Sequence, residues 1–440
     1  MTANFAAKKA NFEGLLTMRL NFAMPLLMTT LMLSSTWMSG CRGSDQLQAQ
    51  NVPLPSLEKP IASNPIASTA SPTPSTVDPT VLKQSWEAYR QRFIQADGRV
   101  IDWEAEARST SEGQAYAMLR SVMIDDPQTF ARTLAWAEKN LKRGEPSDSL
   151  WAWKWGRNEQ KQWGILDRNF ASDADVDAIT ALILASRRWN RPAYLTLAQT
   201  KLRALWALSV IPVGDQRYLL PGPREAFQQP TKLLLNPSYF SPAAFRLFAQ
   251  VDRARDWSSL VNSSYQVLEQ SAALSTVNLP SDWLALDTTN GQFQALLGAE
   301  PIVSRYGFDA YRVWWRVALD AAWYGEPRAK SYLQQHLVSL QQMWRSQQKI
   351  PAQLDLQGKP AVTYEATAQY GALYGAFRLI DPQTAEAIYQ KKIMPQYRNG
   401  IWENNAAYYT QNLVWFGLIP SIAISAPLLQ PANVTQPPHP

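Results

Sequence analysis

Three acidic residues each open a helix-like stretch: Glu112 in S-E-G-Q, Asp173 in A-S-D-A-D and Asp309 in Y-G-F-D-A. Two carboxyl groups facing each other across a groove are the minimum equipment for cleaving a glycosidic bond. One protonates the departing oxygen, and the other activates water or attacks the sugar. The composition leaves few other routes to hydrolysis. Cys41 is the only cysteine, and His336 and His439 are the only histidines. A disulfide framework, a Cys/His zinc site, a histidine-based triad and a thiol nucleophile are therefore excluded. No pattern in the chain points to a bound metal or organic cofactor.

The three acids lie far apart along the polymer, so helices must bring them together. Between about residues 79 and 420 apolar residues recur at helical spacing, with little strand-like alternation. Trp86, Tyr89 and Phe93 mark a first helix; Ala115, Met118, Leu119 and Val122 mark a second, which stops at Asp126-Pro127. Ten more follow, including an eighth over 309–323, a tenth over 363–379, an eleventh over 382–393 and a twelfth over 404–418. The turns after helices two, four, six, eight and ten are very short. The connections before the even helices are long: about 96–109, 142–170, 209–240, 273–308, 349–362 and 393–403. Six hairpins stacked in this way put all tight turns at one end and all long loops at the other. Closed in a ring, they make an all-α fold, an (α/α)6 barrel with the even helices inside. Glu112, Asp173 and Asp309 then meet on one rim. Taken singly, each acid is more readily a helix cap, because carboxylates satisfy free N–H groups and complement the helix dipole. Capping gives no reason for all three to share one face.

The ends read differently. Lys8, Lys9 and Arg19 precede an apolar run from Leu20 to Leu33, followed by small residues ending in Ser39-Gly40-Cys41. Residues 1–41 are thus expected to be a secretory segment. M-S-G-C resembles a lipobox, with Met38 where leucine is more usual, so Cys41 is the expected lipidation site. A single retained membrane helix is the competing reading. Residues 42–78, rich in Pro, Ser, Thr, Ala and Gln, are expected to be an extended tether. Residues 79–420 are expected to form the catalytic domain, and 421–440 a tail. The formal charge of +6 is modest, and no dense Lys/Arg run with interleaved aromatics occurs, so nucleic acid is not an expected partner.

At the three acids the chain resembles bacterial glycoside hydrolase family 8, endoglucanases that include those accompanying cellulose synthase. T-S-E-G-Q-A-Y-A-M-L at 110–119, A-S-D-A-D-V-D-A-I-T-A-L at 171–182, N-P-S-Y-F-S-P at 236–242 and Y-G-F-D-A-Y-R-V at 306–313 carry the likeness, which spans most of 80–420. Ala178 replaces a bulkier residue usual there. The resemblance implies an (α/α)6 barrel and inverting hydrolysis of a β-1,4-glucan. Glu112 would be the acid, Asp309 the base, Asp173 the residue holding the sugar between them, and Arg312 an ion-pair partner. It also places Tyr239 near the cleft.

Aromatic residues extend the substrate argument. W-A-W-K-W at 151–155 lies in the long loop before the fourth helix, and pyranose rings stack their C–H faces on indole. Trp155 is the expected sugar platform, with Tyr370 on the tenth helix as a second cleft residue. The expected protein is an exported, lipid-anchored monomer of the periplasm or cell envelope that acts on β-glucan, with a cellulose synthase complex as a conceivable partner. A glucan-binding lipoprotein without turnover, and a chitosanase or xylanase on the same barrel, are the competing readings.

Overall fold

The computed structural model describes residues 77–144, 148–298, 302–419 and 426–430. Cys41, the secretory segment and the tether up to residue 76 lie outside the described residues.

Twelve principal helices follow one another. They are α1 (Pro79–Phe93), α2 (Ser111–Ile124), α3 (Pro127–Asn140), α4 (Ser172–Trp189), α5 (Pro192–Ser209), α6 (Pro242–Val251), α7 (Trp257–Ala273) and α8 (Tyr311–Tyr324). Then come α9 (Pro327–His336, continued past Leu337 by Val338–Gln347), α10 (Thr367–Ile380), α11 (Pro382–Ile388, extended by a π turn through Ile393) and α12 (Tyr408–Leu418).

Three of the tight turns share one chemistry. Asp125, Asn190 and Gly325 adopt left-handed backbone (φ 66°, 49° and 64°), which ends α2, α4 and α8. Pro127, Pro192, Pro327 and Pro382 then open the next helix, where a missing N–H costs nothing. Asp126 and Asp381 cap α3 and α11 by accepting from Thr129 N–H at 3.0 Å and Thr384 N–H at 3.2 Å.

The even helices pack in a closed cycle, α2 on α4, then α6, α8, α10, α12 and back to α2. Each also leans on one outer helix, and α12 takes α1, so the chain's first and last barrel helices complete the ring. An inner helix is therefore covered on all sides. Every residue of α12 is buried, as is almost all of α2 and the first fourteen residues of α4. The outer helices are amphipathic instead, as in α3, where Phe130, Thr133, Leu134 and Ala137 face in.

The long loops hold short strands that the alternation pattern did not reveal. β1 (Ser109–Thr110), β2 (Lys154–Arg157) and β3 (Trp163–Asp167) form one antiparallel sheet. β4 (Val210–Val213) and β5 (Gln216–Leu219) form a hairpin; β6 (Lys232–Leu235), β7 (Leu284–Asp287) and β8 (Phe293–Gln294) form a second sheet; β9 (Tyr397–Arg398) and β10 (Ile401–Trp402) form a last pair. These strands have two to five residues, too few for a period of two to stand out. Helix starts also move: α8 begins at Tyr311 rather than 309, α10 at Thr367 rather than 363, and α12 at Tyr408 rather than 404.

The segment after 420 is not wholly a tail. A short helix (Ala426–Leu429) buries Leu428 and Leu429. Its carbonyls accept from Arg187 Nη1 (to Leu428, 2.8 Å) and Gln250 Nε2 (to Leu429, 3.0 Å). Among the described residues no helix is long and apolar enough to cross a membrane.

Candidate active site

Glu112 and Asp173 are each the second residue of an inner helix, α2 and α4. Thr110 caps α2 by accepting from Gly113 N–H at 3.0 Å, which sets the direction from which Glu112 leaves the helix. Asp309 sits in the turn before α8 and is not its cap. Asp282 holds that turn from outside the helix, its Oδ1 accepting from Ala310 N–H at 2.8 Å. Asp282 comes so close that a Cβ on Gly307 would lie 2.5 Å from its Oδ2, which accounts for glycine in Y-G-F-D. Tyr409 from α12 pins the same turn by donating to the Phe308 carbonyl at 2.6 Å.

All three carboxylates converge on one guanidinium. Arg312 Nη1 donates to Glu112 Oε2 at 3.1 Å and to Asp173 Oδ2, while Nη2 donates to Asp309 Oδ1 at 3.0 Å. Residues 112, 173 and 309 thus share a single counter-ion supplied from the first turn of α8. Access differs among them. The side chains of Glu112 and Asp309 are 18% and 27% exposed, against 3% for Asp173 and 2% for Arg312. Glu112 and Asp309 are thus the carboxylates open to solvent, whereas Asp173 is recessed.

The surroundings set the charge states. Burial pushes the Asp173 carboxyl up, Arg312 pulls it back, and the Asp177 charge pushes it up again; the net direction is upward. Burial works against the Arg312 charge, but Tyr116, Asp173 and Asp309 outweigh it and hold the guanidinium firmly protonated. Beneath lies a second buried ion pair, in which Arg316 clasps Asp177 through both terminal nitrogens (2.9 Å to Oδ2). Arg316 Nε also donates to the Ser238 carbonyl at 3.0 Å. That bond anchors the 3-10 turn Pro237–Tyr239, whose Asn236 side chain caps it at 3.1 Å, and so presents Tyr239 to the site. The Arg312 guanidinium carbon lies 5.2 Å from the centre of the Tyr239 ring.

Not every expected residue joins this cluster. Tyr370 is 2% exposed, with its hydroxyl donating to Glu365 and accepting from Ile350 N–H at 2.9 Å. It braces the loop before α10 rather than lining the site, because its position on α10 faces the Trp344 ring. Trp155 also lies apart from the acids: its ring contacts are with Trp136, Trp163 and Arg99. Of its neighbours, Trp151 is a core anchor whose indole N–H donates to Glu138 at 2.9 Å, and Trp153 is buried.

One site residue escaped notice in the sequence. Tyr408, the first residue of α12, donates its hydroxyl to Glu112 Oε1. Burial and the Glu112 charge push that phenol well above its ordinary range, so it stays a donor. The signal was available, since the start of an inner helix is the same address that Glu112 and Asp173 occupy. Tyr116, a turn beyond Glu112, has a buried hydroxyl that makes no hydrogen bond.

The model of the Glycosyl hydrolases family 8 matches residues 67–420. The chain belongs to that family. Among curated proteins it is 36% identical over 253 residues to an endoglucanase of Xanthomonas axonopodis pv. citri, covering 57% of this chain and 62% of that one. The chain thus spans about three fifths of that relative's length. Among solved structures, an endo-1,4-D-glucanase from Vibrio fischeri superposes with a TM-score of 0.64 at 25% identity, over 76% of this chain and 93% of the other. A family 8 endoglucanase from Klebsiella pneumoniae gives 0.60 at 26% identity, over 76% and 98%. The barrel of this family 8 protein is accordingly the (α/α)6 fold of its structural neighbours.

Proposed function

We propose that this family 8 protein is an endo-acting β-1,4-glucanase that hydrolyses with inversion, with Glu112 as acid and Asp309 as base. The observation that carries the reading is the shared guanidinium. Arg312 gathers three remote carboxylates and leaves the outer two open to solvent. The endoglucanase relatives support the choice of β-1,4-glucan. In this scheme Glu112 gives its proton to the glycosidic oxygen while Asp309 takes one from a water on the opposite face of the sugar. Tyr408 steadies Glu112 from one side, and Asp173, recessed beside them, accepts from a sugar hydroxyl.

The geometry is compatible with inversion. Because Glu112 and Asp309 bond opposite ends of one planar fork, their nearest oxygens are no more than about 8.5 Å apart. That ceiling admits both the roughly 6.5–9.5 Å in which a water fits between acid and base and the roughly 5–5.5 Å of a retaining pair. The product anomer decides between the two: NMR of fresh cello-oligosaccharide hydrolysate should show the α-anomer first. Glu112→Gln and Asp309→Asn should fold normally and each lower kcat on carboxymethylcellulose by about 10²- to 10⁴-fold, read as reducing ends. Binding without turnover by the unaltered protein would instead favour a glucan-binding role.

The charged, apolar and small-residue order of residues 8–41 supports export, with Cys41 as the acylated residue after cleavage.

A further inference from the structure

The hairpin of β2 and β3 builds a second aromatic surface away from the three acids. A bulge between Lys154 and Trp155 shifts the register and turns Trp155 toward outer helix α3. There its ring meets Trp136 edge-on at 5.2 Å and lies face to face with Trp163, 5.0 Å between centres and 15° from parallel. Trp163 remains 47% exposed, making it the most open tryptophan among the exposed large apolar side chains. Arg99 stands beside the stacked pair, 4.5 Å and 4.4 Å from the two ring centres, and is fixed by donating to Ser109 Oγ at 2.8 Å.

An exposed indole costs solubility, and packing does not require this one, since the core closes beneath it at Trp136 and Trp155. The rings border an open depression of about 560 Å³ whose other walls carry Gln95, Asp97, Lys139 and Asn140. That combination suits one ligand chemistry. A flat apolar face takes the C–H side of a pyranose, while amide and carboxylate groups around it exchange hydrogen bonds with ring hydroxyls. Trp136 and Asn140 belong to α3, so the depression sits on the outer shoulder of the rim. Main-chain pairing of Trp155 with Ser109 ties that shoulder to the strand leading into the Glu112 helix.

We propose that the Trp155–Trp163 stack, with Arg99 and the Gln95, Asp97 and Asn140 side chains, is an ancillary binding site for a neutral β-linked glucan chain. None of the three acids lines it. It holds polymer near the cleft and adds nothing to bond cleavage itself. The proposal rests on the glucanase reading for its choice of ligand, but its test does not require turnover.

The test is affinity electrophoresis of Glu112→Gln protein through gels containing hydroxyethylcellulose, with and without Trp163→Ala. Trp163 is exposed, so its removal leaves the core intact, which circular dichroism checks. The expected result is retardation of the Glu112→Gln protein and at least about a fivefold weaker apparent affinity when Trp163 is also removed. Equal retardation of the two proteins, or no retardation of either, overturns the ancillary site. The two readings part cleanly. Trp163-dependent retardation in a protein whose unaltered form releases no reducing ends would sink the hydrolase and keep the site. Hydrolysis with Trp163-independent retardation would do the reverse.

Discussion

At the residue scale, the site is an electrostatic knot around Arg312. Three carboxylates this near one another repel, and the single guanidinium makes their coexistence tolerable inside a buried site. Arg312→Ala is expected to cost about 3–5 kcal/mol in denaturant unfolding, because it leaves the buried Asp173 carboxylate without its counter-ion. Burial already pushes Asp173 up and Arg312 is what pulls it back, so protonation of Asp173 relieves the loss and the deficit relative to the unaltered protein should be smaller at pH 5 than at pH 8. A deficit independent of pH would show that Arg312 acts through packing alone. Asp175, two residues after Asp173, offers a separate pH test. It is fully buried, accepts from Trp151 N–H at 3.3 Å, and is pushed up to about 7 by burial, with Lys201 opposing. The folded-state value lies above the ordinary carboxylate value of about 3.9. Between these pH values the native state keeps a proton that the unfolded chain has lost, so this group makes stability fall as pH rises from about 4 to about 7. Asp175→Asn should remove that slope, and the variant should gain on the unaltered protein between pH 5 and pH 8. Parallel stability profiles for the two proteins would reject the assignment.

At the element scale, the inner ring depends on how closely helices can approach. α10 and α12 cross at Gly371 and Gly417, where a Cβ on Gly417 would fall 1.8 Å from the Gly371 carbonyl oxygen and one on Gly371 would lie 2.5 Å from Val414 Cα. No rotamer change relieves a clash with backbone, so the helices must separate. Gly417→Ala is expected to lose about 1–3 kcal/mol or more in urea unfolding, despite alanine's better helix propensity. An unfolding midpoint equal to that of the unaltered protein would mean the crossing is looser than its geometry indicates. Since α12 also presents Tyr408 and Tyr409 to the site, the same substitution should lower activity as well as stability. The short strands of the long loops matter in another way. Each secures a connection that would otherwise be irregular, as β1 and β2 do beside Glu112.

At the scale of the whole molecule, closure joins distant parts of the chain. Trp415 of α12 donates to the Leu82 carbonyl of α1 at 3.1 Å, and Asn412 donates to the Tyr89 hydroxyl at 3.2 Å. Arg120 of α2 completes the seam. It donates to Asn412 Oδ1 at 3.1 Å and lies 4.3 to 5.1 Å from the rings of Tyr89, Trp415 and Trp86. Burial among these neutral groups lowers Arg120 to about 9. The helix at Ala426–Leu429 then clips onto α4, so sequence beyond the last barrel helix is part of the folded body. The proposed export and acylation at Cys41 predict that the unaltered form sediments with membranes, while Cys41→Ser appears in the soluble exported fraction. A Cys41→Ser protein that stays in the membrane pellet would indicate a retained apolar helix instead.

Much of this was written locally. Apolar periodicity and the alternation of short and long connections predict twelve helices, which of them face inward, and one rim for Glu112, Asp173 and Asp309. Those signals are legible because each depends on residues within a turn or two of one another. What joins the acids is not local. Arg312 reaches residues 200 and 139 positions away, and Tyr408 reaches Glu112 across 296. Tyr370 shows the opposite failure: its residue type suits a cleft, but packing against Trp344 directs it elsewhere. Sequence determined the helices and the end of the barrel at which chemistry could occur. Only the closed ring decided which side chains share that space, because contact between remote residues depends on where every intervening helix packs.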